Sequence, residues 1–422
     1  MTKQHDRREG WKMPPRPQWL AEFNDLGRLM NIKSIVPLDE DSLLAEAKRN
    51  TGLADFQWGD EGLQHFRALI KSIEEQAKLN FFGRLLTRSD LLIYLEARLR
   101  INEAYRRNPE IDDEVIKEPV FILGYGRSGT TILHEVLSQD PQFRSVKRWE
   151  AYFPVPSPEP ATYHTDPRIE KAEGLMEVYN RISPEWKQMH AFGGTLPVED
   201  IEFTYLAFFS EVWPLAFQIG DYQRYFARHD PDYHFYWHKR ILKLLQWKYK
   251  KHWLMKNPTH MSRIPQLLKY YPDAKFLFTH RDPITSADSV VNVEGTIFSW
   301  RTDDPYGGDG DADWLMAEAR AKLWENVITW METGVLRKGS YSHFKYHEFM
   351  EAPWATIEKS FRELNLPVTE EGFAKMKAYL DAKPQGKHGR HGYKKMTEDD
   401  PIKQAERAAY RRYQEYFGIP NE

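Results

Sequence analysis

Pro119-Val120-Phe121-Ile122-Leu123-Gly124-Tyr125-Gly126-Arg127-Ser128-Gly129-Thr130-Thr131-Ile132-Leu133-His134-Glu135-Val136-Leu137-Ser138 is the stretch on which the reading of this chain turns. Its first five residues are a short apolar run, the pattern of a strand buried on both faces of a parallel sheet. A glycine-bearing loop follows. Ile132, Leu133, Val136 and Leu137 then recur at helical spacing as far as Asp140-Pro141, where the proline disfavours helical geometry in the residue before it.

Strand, tight loop and helix in that order make an anion site. Glycines let the backbone turn so that successive N–H groups point inward, and the helix adds its free N–H groups and the positive end of its dipole. Arg127 brings a permanent charge, and Ser128, Thr130 and Thr131 bring hydroxyls. In the ATP/GTP loop G-x-x-x-x-G-K-[ST], a lysine reaches the outer phosphates. Gly124 and Gly129 keep that spacing here, but Thr130 stands at the lysine position and the cation has moved to Arg127. A metal-bound triphosphate would lose its main charge partner in such a loop, whereas a single terminal phosphate needs less.

Working outward, Trp253-Leu254-Met255 and Lys275-Phe276-Leu277-Phe278 have the same buried-strand look, with Ile264, Leu267 and Leu268 as a crossover helix between them. A further short strand is expected around Phe344-Lys345-Tyr346, and helices at 314–333 and onward to the C-terminus. From Asp41 to about Arg107 the pattern is helical, with Leu91, Leu92, Leu95 and Leu99 at three- and four-residue steps. The expected fold is α/β: a P-loop-like parallel sheet flanked by helices, with a helical N-terminal subdomain. The divisions are an N-terminal extension at 1–40, the helical subdomain at 41–112, which would lend wall residues to a pocket, and the α/β domain at 113–422.

The chain has 422 residues, 41 % hydrophobic and 29 % charged, which is a globular and not a disordered profile. A net charge of −3 argues against a general nucleic-acid binder, so any anion site must be local. The absence of cysteine removes disulfides, thiolate metal sites and cysteine nucleophiles, and is compatible with a cytoplasmic location. Met1 to Gln18 lacks the apolar core of a signal peptide. The long apolar stretch 204–220 is interrupted by Glu211 and is expected as a buried helix or pocket wall, with no membrane span. The acidic loop 303–313 mimics the start of a calcium loop, but Trp314 stands where glycine is needed and Arg320 where glutamate is needed. A lid or a plain loop is the expectation there.

Gly124-x-x-Arg127-Ser128-Gly129-Thr130-Thr131 after a buried strand resembles the 5′-phosphosulfate loop of the sulfotransferases that use 3′-phosphoadenylyl sulfate (PAPS). The resemblance runs from about Asp41 to Phe417 and is closest to the large bacterial-type branch with a helical N-terminal segment. It implies that Arg127, Ser128, Gly129, Thr130 and Thr131 hold the phosphosulfate. Arg281, at a strand end, and Ser289, about two turns into the next helix, resemble the pair that clamps the 3′-phosphate. Tyr346 falls where the family tyrosine contacts the adenine, and Arg390, in Gly386-Lys387-His388-Gly389-Arg390, where a basic loop covers the 3′-phosphate.

The implied reaction is direct in-line sulfuryl transfer, with no protein nucleophile and no metal, leaving adenosine 3′,5′-bisphosphate. Lys256 resembles the family lysine that assists transfer, and Arg127 would steady the leaving phosphate. For the base, His260 lies four residues after Lys256, where the cytosolic members place a histidine two residues after. Glu150, in the position of a glutamate base in other branches, is the rival, since a histidine near neutrality is the easier base. Glu199 and Asp200 are further candidates for the acceptor pocket. The expected partner is a small apolar or phenolic hydroxyl or amine acceptor; a homodimer is left open. A P-loop kinase and a non-catalytic nucleotide sensor are the alternative readings.

Overall fold

The computed structural model describes residues 8, 11–186, 193–308, 316–383 and 400–422, with residues 288, 289 and 402 described for their backbone alone. Five strands form one sheet: β1 (Val120–Gly124), β2 (Phe143–Arg144), β3 (His252–Lys256), β4 (Lys275–His280) and β5 (Tyr341–Lys345). Their order is β2-β3-β1-β4-β5 and every pairing is parallel. All residues of β1 and β4 are buried. Their continuous apolar runs nevertheless divide with a period of two. Phe121, Leu123, Phe276 and Phe278 enter the large core on one face, while Val120, Ile122 and Leu277 enter a second core on the other. That is why no polar alternation marks these strands.

The register brings Gly124 level with Thr279, and Ile122 level with Lys256. The ends of β1, β3 and β4 therefore share one edge, where ligands of open α/β sheets bind. β5 starts earlier than the sequence pattern implies: Tyr346 opens a helix instead of closing the strand.

Residues 41–112 are helical, chiefly as α1 (Glu40–Thr51), α2 (Gly62–Gln76) and α3 (Phe81–Arg107). Asp39 and Asn80 cap α1 and α3 by accepting from Ser42 N and Gly83 N. Leu43, Phe66, Leu91, Leu95 and Leu99 join the same core as β1 and β4. Among the elements after the sheet begins, α4 (Thr130–Leu137) follows the loop, α5 (Pro283–Ser299) follows β4, and α6 (Ala317–Glu332) precedes β5. A last helix, α7 (Pro401–Phe417), packs on α5 and α6. Among the described residues no helix is long and apolar enough to cross a membrane.

Candidate active site

Residues 125–129 turn sharply between β1 and α4. Gly129 has φ of 93°, and a Cβ there would come within 2.9 Å of the Tyr346 ring, so both backbone freedom and space require glycine. Gly124 is equally constrained, because a Cβ would lie 2.1 Å from Thr279 Oγ1. Arg127 adopts φ of 70°, left-handed for a residue with a side chain. Ser128 has turned its hydroxyl away from the loop's interior: Oγ donates to Tyr125 O at 2.7 Å and lies 2.6 Å from Thr279 Oγ1. In this structure its side chain latches the loop to β4. Thr130 and Thr131, at the start of α4, line the adjoining cavity with Arg127.

Arg281 follows β4 directly and reaches this loop. Its Nη1 donates to Arg127 O at 3.3 Å, and its guanidinium lies 4.3 Å from the centre of the Tyr346 ring. Nε and Nη2 lie 2.9 and 2.8 Å from the Glu422 carboxylate. The next residue, Asp282, caps α5 through Ile284 N and accepts two hydrogen bonds from Arg407 at 2.9 and 2.7 Å. Burial alone would raise the Asp282 carboxyl, but these bonds and one from Glu422 N hold it below the usual carboxylate range. Arg127, Gly129, Arg281 and Tyr346, separate in sequence, thus converge. Ser289 lies on α5 with its side chain outside the described set, and Arg390 lies outside the described residues.

A cavity of about 790 Å³ opens beside the loop. One wall is the apolar stretch after residue 204, folded as short helical turns rather than one helix, which contributes Tyr205 and residues 211–218. Val290, Val293, Glu294 and Ile297 of α5 form another, and α3 supplies Asp90 and Tyr94. The helical N-terminal region therefore does lend wall residues. Trp186, Trp213, Phe217 and Trp300 make the remainder largely aromatic. Glu294 is kept from water, and burial pushes its carboxyl up to about 8 despite the nearby Tyr306 hydroxyl and Arg8.

At the boundary between loop and cavity, Lys256 ends β3 almost fully buried. Its Nζ is ion-paired with Glu199 and lies 3.5 Å from Thr131 Oγ1. Glu199 is partly exposed and faces the cavity. Beside it, Arg148 pairs with Glu202 through both guanidinium nitrogens, one at 3.1 Å.

Neither expected base reaches this cavity. Glu150 is 0 % exposed, and its oxygens are taken by Arg144, by Lys147 N at 2.8 Å and by the Tyr163 hydroxyl at 3.0 Å. His260 is also 0 % exposed, with Nε2 3.1 Å from Asp200 Oδ2 and 3.3 Å from Asn257 Nδ2. Both face the protein interior for the same reason: they are the polar partners of buried charges. Asp200, His238 and His260 hold three candidate ligand atoms within 4.8 Å. His238 Nδ1 also lies 2.7 Å from the Tyr271 hydroxyl, while Asp200 Oδ1, His238 Nε2 and His260 Nδ1 are buried with no hydrogen-bond partner.

Residues 119–370 match the profile of the sulfotransferase family. The chain belongs to that family. Two relatives from Mycobacterium bovis and Mycobacterium tuberculosis, both called omega-hydroxy-beta-dihydromenaquinone-9 sulfotransferase Stf3, are 26 % identical over 200 residues, 43 % of this chain and 46 % of each relative. The match thus spans less than half the length of those relatives. The fold of this chain is similar to that of sulfotransferase STF9 from Mycobacterium avium, with a TM-score of 0.74 and 23 % identity over 91 % of this chain and 97 % of that one. It is also similar to STF1 from Mycobacterium tuberculosis, with a TM-score of 0.68 and 22 % identity over 88 % and 98 %.

Sequence reasoning named Glu199 only as a pocket-lining candidate and passed over the Arg148–Glu202 pair. No local pattern marks them, because Lys256 and Glu199 meet across 57 positions of chain.

Proposed function

We propose that this sulfotransferase moves the sulfuryl group of PAPS onto the hydroxyl of a largely apolar acceptor, with Glu199 as the base. The observation that carries the reading is the meeting of three parts at one sheet edge: the Arg127–Thr131 loop, Arg281 against Tyr346, and the Lys256–Glu199 pair at the mouth of an aromatic cavity. The loop amides and Arg127 would hold the 5′-phosphosulfate, and Arg281, with Ser289, the 3′-phosphate. Tyr346 offers the adenine a ring face. The Stf3 relatives are named for a hydroxylated dihydromenaquinone, and the aromatic wall here suits an acceptor of the same general kind, a hydroxyl on an apolar body.

In the reaction, the acceptor oxygen bonds to sulfur as the bond from sulfur to the bridging phosphate oxygen breaks. The electron pair stays on that oxygen, and the hydroxyl proton passes to Glu199. Lys256 links the two events: while Glu199 holds it, the base is neutralised, and a donor phosphate that draws Nζ toward itself frees the carboxylate. No protein nucleophile is needed.

Calorimetry with adenosine 3′,5′-bisphosphate beside ATP with magnesium tests the donor. Tight binding of the first and little of the second is expected; equal affinity overturns the 3′-phosphate assignment and favours a kinase-like site. Transfer of labelled sulfate from PAPS to a panel of phenols and alcohols separates an enzyme from a non-catalytic sensor.

A further inference from the structure

Seven arginines are buried in the described residues: Arg84, Arg98, Arg144, Arg148, Arg240, Arg301 and Arg320. The first six have partners. Arg84, Arg144, Arg148 and Arg301 each pair with a carboxylate. Arg98 donates to the carbonyls of Phe56, Leu206 and Gln57, and Arg240 to Gln57 Oε1 at 3.2 Å. Arg320 differs. It is 4 % exposed, its Nε and Nη2 have no hydrogen-bond partner, and, unlike Arg301, which also has two unpartnered nitrogens, it pairs with no carboxylate among the described residues. What fixes it is the face of Tyr125, whose ring centre lies 4.6 Å from the guanidinium. The Tyr125 hydroxyl in turn donates to Arg320 O, so the loop and α6 hold each other.

Burying an unpaired guanidinium is expensive, and an arginine does not escape the cost by losing its proton. The other six sites show that this fold supplies partners to arginines that are there for structure. Arg320 lines the cavity together with Gly124, Tyr125, Gly126, Arg127 and Thr130. A permanent cation that lines the cavity and is pressed against Tyr125 of the anion loop, with two of its donors unpartnered, has the chemistry to take an oxyanion that arrives there.

We propose that Arg320 contacts the oxygens of the sulfuryl group as it passes from the donor to the acceptor, a role resting on the PAPS reading above. The sulfuryl oxygens keep their negative charge throughout, while the S–O bond to the donor phosphate breaks and the bond to the acceptor oxygen forms. The guanidinium from α6, held against Tyr125 of the loop, stabilises that charge at the moment neither oxygen neighbour is fully bonded. Adenosine 3′,5′-bisphosphate has no sulfuryl group, and so does not engage Arg320.

The test uses Arg320→Leu and Arg320→Lys in the full chain, with three readouts. First, both variants bind adenosine 3′,5′-bisphosphate within about twofold of wild type. Second, PAPS turnover with 2-naphthol or 1-dodecanol as acceptor falls at least about a hundredfold in Arg320→Leu, as for loss of one oxyanion donor, and less in Arg320→Lys. Third, the melting temperature of ligand-free Arg320→Leu is equal to or above that of wild type, because an unpaired buried charge has been removed. A structural role predicts the reverse on the third readout. Arg320→Leu that keeps more than a third of turnover, or that melts several degrees lower, overturns the proposal. So does loss of bisphosphate binding in the variants in step with turnover. Failure of wild type to bind the bisphosphate would instead strike the donor reading, and the two failures are distinguishable. Turnover that falls only with 4-hydroxybenzoate, an acceptor bearing its own anion, would assign Arg320 to the acceptor's charge and also overturn it.

Discussion

The two ends of the cavity are built in opposite ways. At the proposed donor end, one continuous strand–loop–helix carries the candidate anion site, and its conformation is dictated locally by Gly124, Gly129 and the start of α4. At the proposed acceptor end, Glu199, Glu202 and Tyr205 come from one segment, Asp90 and Tyr94 from α3, Glu294 from α5, and Arg320 from α6. A local site can be read from a short stretch; a composite one exists only after the chain has folded. The same division should separate the effects of substitution. Donor-end changes should alter nucleotide affinity, acceptor-end changes should alter turnover at constant affinity, and changes at buried ion pairs should alter stability alone.

The largest expected effect belongs to neither end. Glu150→Gln leaves the Arg144 guanidinium without its carboxylate in a site where both side chains are almost entirely buried. Breaking a buried pair from one side costs about 3–5 kcal/mol, and the neutral amide, which still accepts one bond, should place the loss near the lower bound. Urea unfolding measures this, and turnover per folded molecule should stay near wild type. If stability holds and turnover collapses, Glu150 acts in the chemistry and the comparison of the two ends has been drawn in the wrong place.

Next comes the acceptor end itself. Glu199→Gln removes the proposed base and the Lys256 ion pair together while leaving the loop untouched. Turnover should fall by at least about a hundredfold, the usual contribution of general-base catalysis, with bisphosphate affinity within about threefold of wild type. His260→Asn run in parallel should lose stability through the Asp200 and Asn257 contacts, since His260 does not line the cavity. A hundredfold loss in a stable His260→Asn enzyme would return the base to the histidine.

These cases show how much was legible in the sequence. β1, β3, β4, the crossover and the loop were legible because apolar runs and glycine spacing are consequences of burial and backbone geometry, and both act on neighbouring residues. The position of Arg281 was legible for a similar reason, directly after a buried strand at the edge that β1, β3 and β4 share. The inward orientation of His260 and Glu150 was not. A histidine or glutamate near an active segment looks the same whether its side chain faces the cavity or the core, and Asp200, 60 residues from His260, decides between them. Glu199 and Asp200 make the point most sharply: they are adjacent, yet one faces the cavity and pairs with Lys256 while the other is buried among histidines. Arg320 looks like an ordinary charge on a helix, and its lack of a carboxylate partner among the described residues is visible only beside the other buried arginines.

At the donor end, Arg281→Ala should weaken adenosine 3′,5′-bisphosphate by about ten- to a hundredfold, the range for a charge-assisted contact of about 1.5–3 kcal/mol. Acceptor KM in the residual activity should barely move. A matched rise in acceptor KM would mean that Arg281 also organises the cavity, against the separation of the two ends.

The smallest effect is the most specific. Arg281 presents Nε and Nη2 to the Glu422 carboxylate, in the geometry a phosphate would use, and both side chains are about a quarter exposed. An anion bound to Arg281 must displace that carboxylate or accept repulsion from it. Partly exposed pairs of this kind contribute about 0.2–1 kcal/mol, so Glu422→Gln should tighten the bisphosphate by a factor of up to about five. The change should shrink in higher salt, as screening removes both the pairing and the repulsion. Should Glu422→Gln instead weaken binding, the carboxylate would be an orienting group for Arg281, and the donor end would be less self-contained than the loop alone suggests.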